Sequence, residues 1–201
     1  MTGERQSASF ALDRVALVDC EASSLRQESY PIEIGWCLAD TAEVESHLVV
    51  PHADWTDWDP EAEAVHGIGR QVLVDQGLPI DVVAKRMRTA LRGRMLYADG
   101  TWDQRWISRL FDAAGLPGLT LRPFDELLGS LVSPQMVMGS DWLAEELARL
   151  KHGATIDEAY ARARSAAPPT HRAGADARYL CEVLLQTIEL TRQRGAWGAT
   201  I

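Results

Sequence analysis

Five side chains spread over most of the chain have the types that metal-assisted hydrolysis of a phosphodiester requires. They are Asp19 and Glu21 near the start, Asp103 in the middle, and His171 with Asp176 near the end. Carboxylates are hard oxygen donors that suit Mg2+ and Mn2+, and two such ions can activate a nucleophile and stabilise a leaving oxygen. A histidine beside them is a group that accepts a proton near neutral pH. The scattered cysteines and histidines form no soft-ligand cluster, which argues against structural zinc.

Each of these residues also has a plainer reading. Asp19 and Glu21 are two apart, so on a strand they face the same side while Cys20 faces the other. The same acid-x-acid pattern recurs at Glu43/Glu45, Asp57/Asp59 and Glu61/Glu63. Only Asp19/Glu21 follows an apolar run, where unpaired carboxylates are costly without a cation. Asp103 stands near a helix start, where aspartate also serves as a cap, and Asp99 competes with it for any metal role. His171 follows Pro168-Pro169-Thr170, a stretch that cannot be helical, and precedes a helix carrying Asp176. An exposed loop histidine beside a surface aspartate is the alternative.

These side chains need elements to hold them. Residues 15–18, Val-Ala-Leu-Val, are a buried-strand run continued by Asp19-Cys20-Glu21. Residues 32–39 and 46–50 read as second and third strands, and short connections predict an antiparallel meander. Asp59-Pro60 is an N-cap with proline at the first helical position, and Gly67 ends that helix. Val83, Met87 and Leu91 mark one face of a helix over 79–92 closed by Gly93. Residues 95–98 make a fourth strand, and 103–114 a helix ended by Gly115. Further helices are predicted over 141–150, 156–164 and 174–191, with Thr155-x-x-Glu158 as a capping box for the second. The pattern predicts an α/β fold with a mixed sheet, the first three strands antiparallel, flanked by helices. Residues 1–10 read as a flexible tail and 11–201 as a single domain.

At 201 residues, 46% of them hydrophobic, the chain has the size and composition of one globular domain. No run of eighteen apolar residues predicts a membrane span. The polar amino terminus lacks a secretory apolar core, and three scattered cysteines fit a reducing compartment, so a cytoplasmic location is expected. A net charge of −9 argues against a protein that coats a long duplex groove. It is neutral towards an enzyme that grips a few terminal nucleotides with its own cations.

Together the motifs resemble the DEDDh exonucleases, the DnaQ-like or RNase T-like 3′–5′ exonucleases of the ribonuclease-H-like superfamily. Residues 15–25, VALVDCEASSL, are similar to the first motif, an apolar strand ending in D-x-E. Residues 31–35, PIEIG, resemble the second strand, and residues 65–68, VHGI, the connecting motif. Residues 97–107, YADGTWDQRWI, resemble the second motif, with Trp102 before Asp103. Residues 171–177, HRAGADA, match H-x4-D. Two positions depart: Asp99 stands where asparagine is common, and Trp102 where phenylalanine is.

The resemblance implies a ribonuclease-H-like fold and two Mg2+ or Mn2+ ions. Asp19 would bridge them, Glu21 and Asp176 would help hold the first, and Asp103 would act on the second. His171 would take a proton from the attacking water. His66, Trp102 and Asp99 would border the substrate. The implied partners are 3′ ends of single-stranded DNA or RNA, or short oligonucleotides, with 5′-mononucleotides as products and a homodimer as one arrangement among relatives. Two other readings stay open: a binding module on the same fold without turnover, and an interaction protein whose acidic residues are surface charge.

Weaker candidates remain. Trp55 and Trp58 could stack bases or simply pack. His47, His52 and His152 lack ligand spacing. Lys85, Arg86, Arg88, Arg92 and Arg94 form the densest basic stretch, read as a solvated helix face with phosphate steering as the alternative.

Overall fold

Residues 15–22 alternate between two hydrophobic layers. In strand β1 (Val15–Ala22), Val15 and Leu17 pack on one face of the sheet and Ala16, Val18 and Cys20 on the other, all buried. A strand covered on both faces reads as a continuous apolar run, which is why residues 15–18 show no polar alternation. This computed structural model describes residues 11–132 and 142–194, with the backbone alone for 142–149. The expected tail over 1–10 and the expected helix start at Asp141 lie outside the described residues.

Strand β2 (Pro31–Leu38) pairs antiparallel with β1, and β3 (Val44–Leu48) pairs antiparallel with β2. The chain then forms α1 (Pro60–His66), α2 (Arg70–Gln76) and α3 (Ile80–Ala90) before re-entering the sheet. Strand β4 (Met95–Ala98) lies parallel to β1. Helix α4 (Thr101–Ala113) leads to β5 (Leu121–Pro123), parallel to β4. Helices α5 (Phe124–Val132), α6 (Trp142–Ala166) and α7 (Ala173–Gln193) follow. The strand order β3-β2-β1-β4-β5 makes β1 the middle of a five-stranded mixed sheet.

Helices sandwich the sheet. Val83, Ala84 and Met87 of α3 join Trp106, Ile107, Leu110 and Phe111 of α4 over the Ala16/Val18/Cys20 face. Phe124, Leu127 and Leu128 of α5, Ala163 of α6 and Ala177, Leu180, Cys181 and Leu184 of α7 cover the Val15/Leu17 face. Asp19 and Glu21 continue the Val15/Leu17 periodicity, so they project on the α7 side. The three cysteines are buried and free. Among the described residues, no helix is long and apolar enough to cross a membrane.

The structure differs from the sequence reading in several places. Residues 142–166 are one unbroken helix rather than two. The Thr155 hydroxyl donates back to the Lys151 carbonyl at 2.8 Å instead of capping a new start, and Glu158 binds Arg162 and Arg194. A capping-box pattern cannot by itself distinguish a helix start from a helix interior. Strand β3 begins and ends two residues before its expected span. Helix α2, strand β5 and helix α5 were not anticipated. The first two are short, but Phe124, Leu127, Leu128 and Leu131 have legible helical spacing.

Candidate active site

At the carboxyl end of β1 three separate stretches of chain meet. Strand β4 stops at Ala98, and its last register partner on β1 is Leu17, opposite Tyr97. The β4-side edge of β1 is therefore open beyond that point. Asp103, in the first turn of α4 and buried, fills it, with its carboxylate turned towards Gly100 and the Cys20 stretch of β1. A Cβ on Gly100 would stand 2.8 Å from the Asp103 carboxylate. The N-cap of α4 is Gly100, with no side-chain cap bond, so Asp103 is a first-turn residue rather than the cap.

From the other side comes α7. Its approach is set by Gly35, which pairs with Asp19 across the β1–β2 ladder. A Cβ on Gly35 would lie 2.3 Å from the Ala173 carbonyl carbon, so only glycine lets α7 begin there. One strand register away, Glu33 faces Glu21. Like charges placed so are destabilising unless countered, and Arg172 counters them. Its guanidinium donates two bonds of 2.9 Å to the two oxygens of Glu33, and the Ala173 N–H adds a third at 3.1 Å. Glu33 is 2% exposed. Neither Glu33 nor Arg172 emerged from the sequence reading. The signal was a glutamate flanked by Ile32 and Ile34 inside a buried strand.

Asp176, in the first turn of α7, accepts the N–H of Thr170 at 2.7 Å and of His171 at 3.2 Å. It thereby closes the loop that carries His171, whose φ of +54° is left-handed and unusual for a side chain with a Cβ. Ligand atoms of Glu21, His171 and Asp176 lie within 4.8 Å of one another.

The electrostatics follow from the crowding. Burial first, and then the charges of Asp103, Glu21, Asp176 and Glu33, raise the Asp19 carboxyl well above its ordinary value. Burial, Asp176 and Glu33 push Glu21 up to about 8 against the pull of Arg172. Burial pushes Asp103 up to about 6, against the opposing pull of the neighbouring main-chain groups. Such a group of carboxylates, with one guanidinium nearby, is short of positive charge. Its oxygen donors fit divalent hard cations.

Beside Glu21 opens a cleft of about 320 Å3 lined by Cys20, Ser24, Leu25, Val65, His66 and Trp106 among others. Leu25 and Val65 are 68% and 57% exposed at its mouth. His66 is buried, its Nδ1 accepts the Ile68 N–H at 3.0 Å, and its Nε2 has no partner. Burial lowers its pKa, so the ring is neutral and, with Nδ1 accepting, Nε2 carries the proton. An N–H donor is left unused beside the cleft.

The remaining candidates fall away from the carboxylates. Trp102 stacks on Trp106 with ring centroids 5.9 Å apart, and so touches the cleft through that residue. Asp99 sits at the surface and feels Asp125. Trp55 is buried against Tyr30, and Trp58 donates to Glu63 at 2.6 Å, so both pack within the protein. Of the basic stretch, Lys85 pairs with Asp81, Arg86 with Glu45 and Arg94 with Asp40. His47 is held by Glu45 at 2.7 Å.

No protein-family model matches the sequence, and no curated protein does. Solved structures match over most of the chain. E. coli Exonuclease I bound to a dA16 oligonucleotide aligns with 90% of this chain at a TM-score of 0.60 and 12% identity. The same enzyme with dT13 gives 0.59 and 14% over the same share. Exonuclease I of Methylocaldum szegediense, moderately thermophilic, gives 0.58 and 18%, again over 90%. The chain spans 40 to 42% of the length of these proteins. At such identities the likeness establishes the fold alone, a helix-flanked mixed sheet of ribonuclease-H-like type shared with Exonuclease I.

Proposed function

We propose that this chain is a metal-dependent 3′–5′ exonuclease acting on single-stranded DNA or RNA ends and short oligonucleotides, with residues 11–201 as one exonuclease domain. One observation carries the reading: Asp19, Glu21, Asp103 and Asp176 converge at the end of β1 with His171 beside them. Oligonucleotides bound to fold neighbours make single-stranded DNA the first substrate to test.

Asp19, Glu21, Asp103 and Asp176 would hold two Mg2+ or Mn2+ ions, Asp19 shared, Glu21 and Asp176 on one and Asp103 on the other. When bound, such ions neutralise phosphodiester charge and lower the pKa of water. His171, exposed in its loop, accepts the proton of the attacking water and passes it to solvent. Asp176 and the Glu33–Arg172 pair hold that loop in place. The terminal nucleotide enters the cleft, where Nε2–H of His66 donates to it and Leu25 and Val65 offer apolar contact. Trp102 and Asp99 border it from the start of α4.

The test is a single-stranded oligonucleotide labelled at its 5′ end, incubated with Mn2+ and the wild type, Asp19→Ala or His171→Ala protein. A ladder shortened from the 3′ end with the wild type, and none with either variant, is expected. Binding without cleavage by the wild type would instead identify an idle binding module.

A further inference from the structure

In a chain of net charge −9, three arginines near the cleft, Arg70, Arg105 and Arg109, have no carboxylate partner among the described residues. Arg105 and Arg109 stand one turn apart on α4, about 6 Å along its axis, beginning two residues after Asp103. The Arg105 guanidinium lies 5.3 Å from the Trp102 ring centroid and donates to the Gln27 carbonyl. That of Arg109 lies 5.5 Å from the Trp55 ring centroid. Arg70 donates to the carbonyls of Trp55 at 2.8 Å and Thr56 at 3.5 Å. Arg70 and Arg109 both stand at Trp55, one on its carbonyl and the other on its ring, so they share one patch. The nearby carboxylate, Asp57, is occupied by Ser23, Ser24 and Arg26.

Indole rings and carbonyls orient these guanidiniums without neutralising them. Elsewhere Arg94 is neutralised by Asp40 and Arg172 by Glu33. The three on the α4 side keep their full charge and remain partly exposed. The spacing of Arg105 and Arg109 suits successive phosphates of an extended strand.

We propose that Arg105, Arg109 and Arg70 form a phosphate-binding track that carries the 5′-ward part of a single strand away from the carboxylates along α4. The inference rests on the exonuclease reading and adds the strand's path. It gives the protein a preference for substrates several nucleotides long.

A separate, basic cleft of about 510 Å3 provides the control. It is lined by Lys85, Arg88, Arg92 and Arg94 at the amino-terminal end of β4, the end of the sheet away from Asp19 and Glu21. Hydrolysis of dT12 and dT2 is measured for the wild type, Arg105→Gln/Arg109→Gln and Arg88→Gln/Arg92→Gln. Anisotropy of labelled dT12 in Ca2+ is followed against salt in parallel. The α4 variant is expected to lower the dT12-to-dT2 ratio of kcat/KM about tenfold. It should also flatten the log–log salt slope of binding by about 0.7 per arginine removed. An unchanged ratio and slope in that variant, or a loss confined to the Arg88/Arg92 variant, overturns the track while leaving the exonuclease reading intact. If the wild type cleaves neither length, that reading fails, and the salt slope alone still decides whether the α4 arginines bind the strand.

Discussion

The carboxylate of Asp176 accepts the backbone N–H of His171, five residues earlier, at 3.2 Å. The spacing H-x4-D is therefore more than two functional groups near each other. It is the length of loop that lets a first-turn aspartate reach back and fix the histidine's main chain, with the Thr170 N–H as a second anchor at 2.7 Å. Asp176→Asn would exchange one acceptor oxygen for a donor and lose one of these bonds. Cleavage is expected to fall at least as far as in Asp103→Asn, and the loop's amide exchange should speed up at 170 and 171. Equal protection in both variants would show that the loop holds itself.

Glu33 offers a separate handle on the same loop. Glu33→Gln keeps the shape but removes the charge that Arg172 grips. Losing hydrogen bonds to a charged group costs about 1.5–3 kcal/mol, discounted here because Arg172 is about half exposed. A melting point lower by about 2–6 °C is expected, with kcat reduced and KM for a dinucleotide little changed. A rise in KM alone would place Glu33 in substrate contact instead.

Crowded carboxylates make the metal-free protein sensitive to base. In the folded state Glu21 is raised to about 8 from 4.5 and Asp103 to about 6 from 3.8. The folded state thus holds protons that the unfolded state has released. Their stabilisation is complete below about pH 4 and is lost as pH rises through 6 and 8. In EDTA the melting temperature should fall between pH 5 and 9, and Mn2+ should restore more of it at pH 8 than at pH 5. A flat profile in EDTA would contradict the crowding.

Relieving one charge should trade function for stability. Asp19→Asn removes the carboxylate that feels four others. The metal-free variant should melt higher than wild type, while cleavage and Mn2+ binding by calorimetry are lost. A lower melting point would indicate that Asp19 is held by its neighbours rather than repelled.

His66 tests the cleft. With Nδ1 taken by the Ile68 N–H and Nε2 unpartnered, its ring offers a donor. His66→Ala should raise KM for a dinucleotide several-fold at near-constant kcat, and His66→Gln, which retains an N–H donor, should recover part of it. Identical KM values in the two variants would remove the donor role.

Much of this was legible in the linear chain. A buried strand ending in two carboxylates, Pro60 and Gly67 bracketing α1, and Gly115 stopping α4 all express local rules that act over a few residues. The five candidate residues, Asp19, Glu21, Asp103, His171 and Asp176, were picked out by the same kind of signal, because each lies at an element end that short-range patterns mark. Tertiary structure decided what those signals leave open. That Glu33 would be clamped by Arg172, 139 residues on, depends on Gly35 letting α7 touch β2. That Asp103, in the first turn of α4, would be buried near enough to raise the Asp19 carboxyl depends on β4 ending early. Trp55, which the sequence left between base stacking and ordinary packing, is buried with Tyr30 stacked on it and Arg109 over its ring. Long-range contacts of this kind follow from how faces pack, and a single chain read along its length carries no record of which faces will meet.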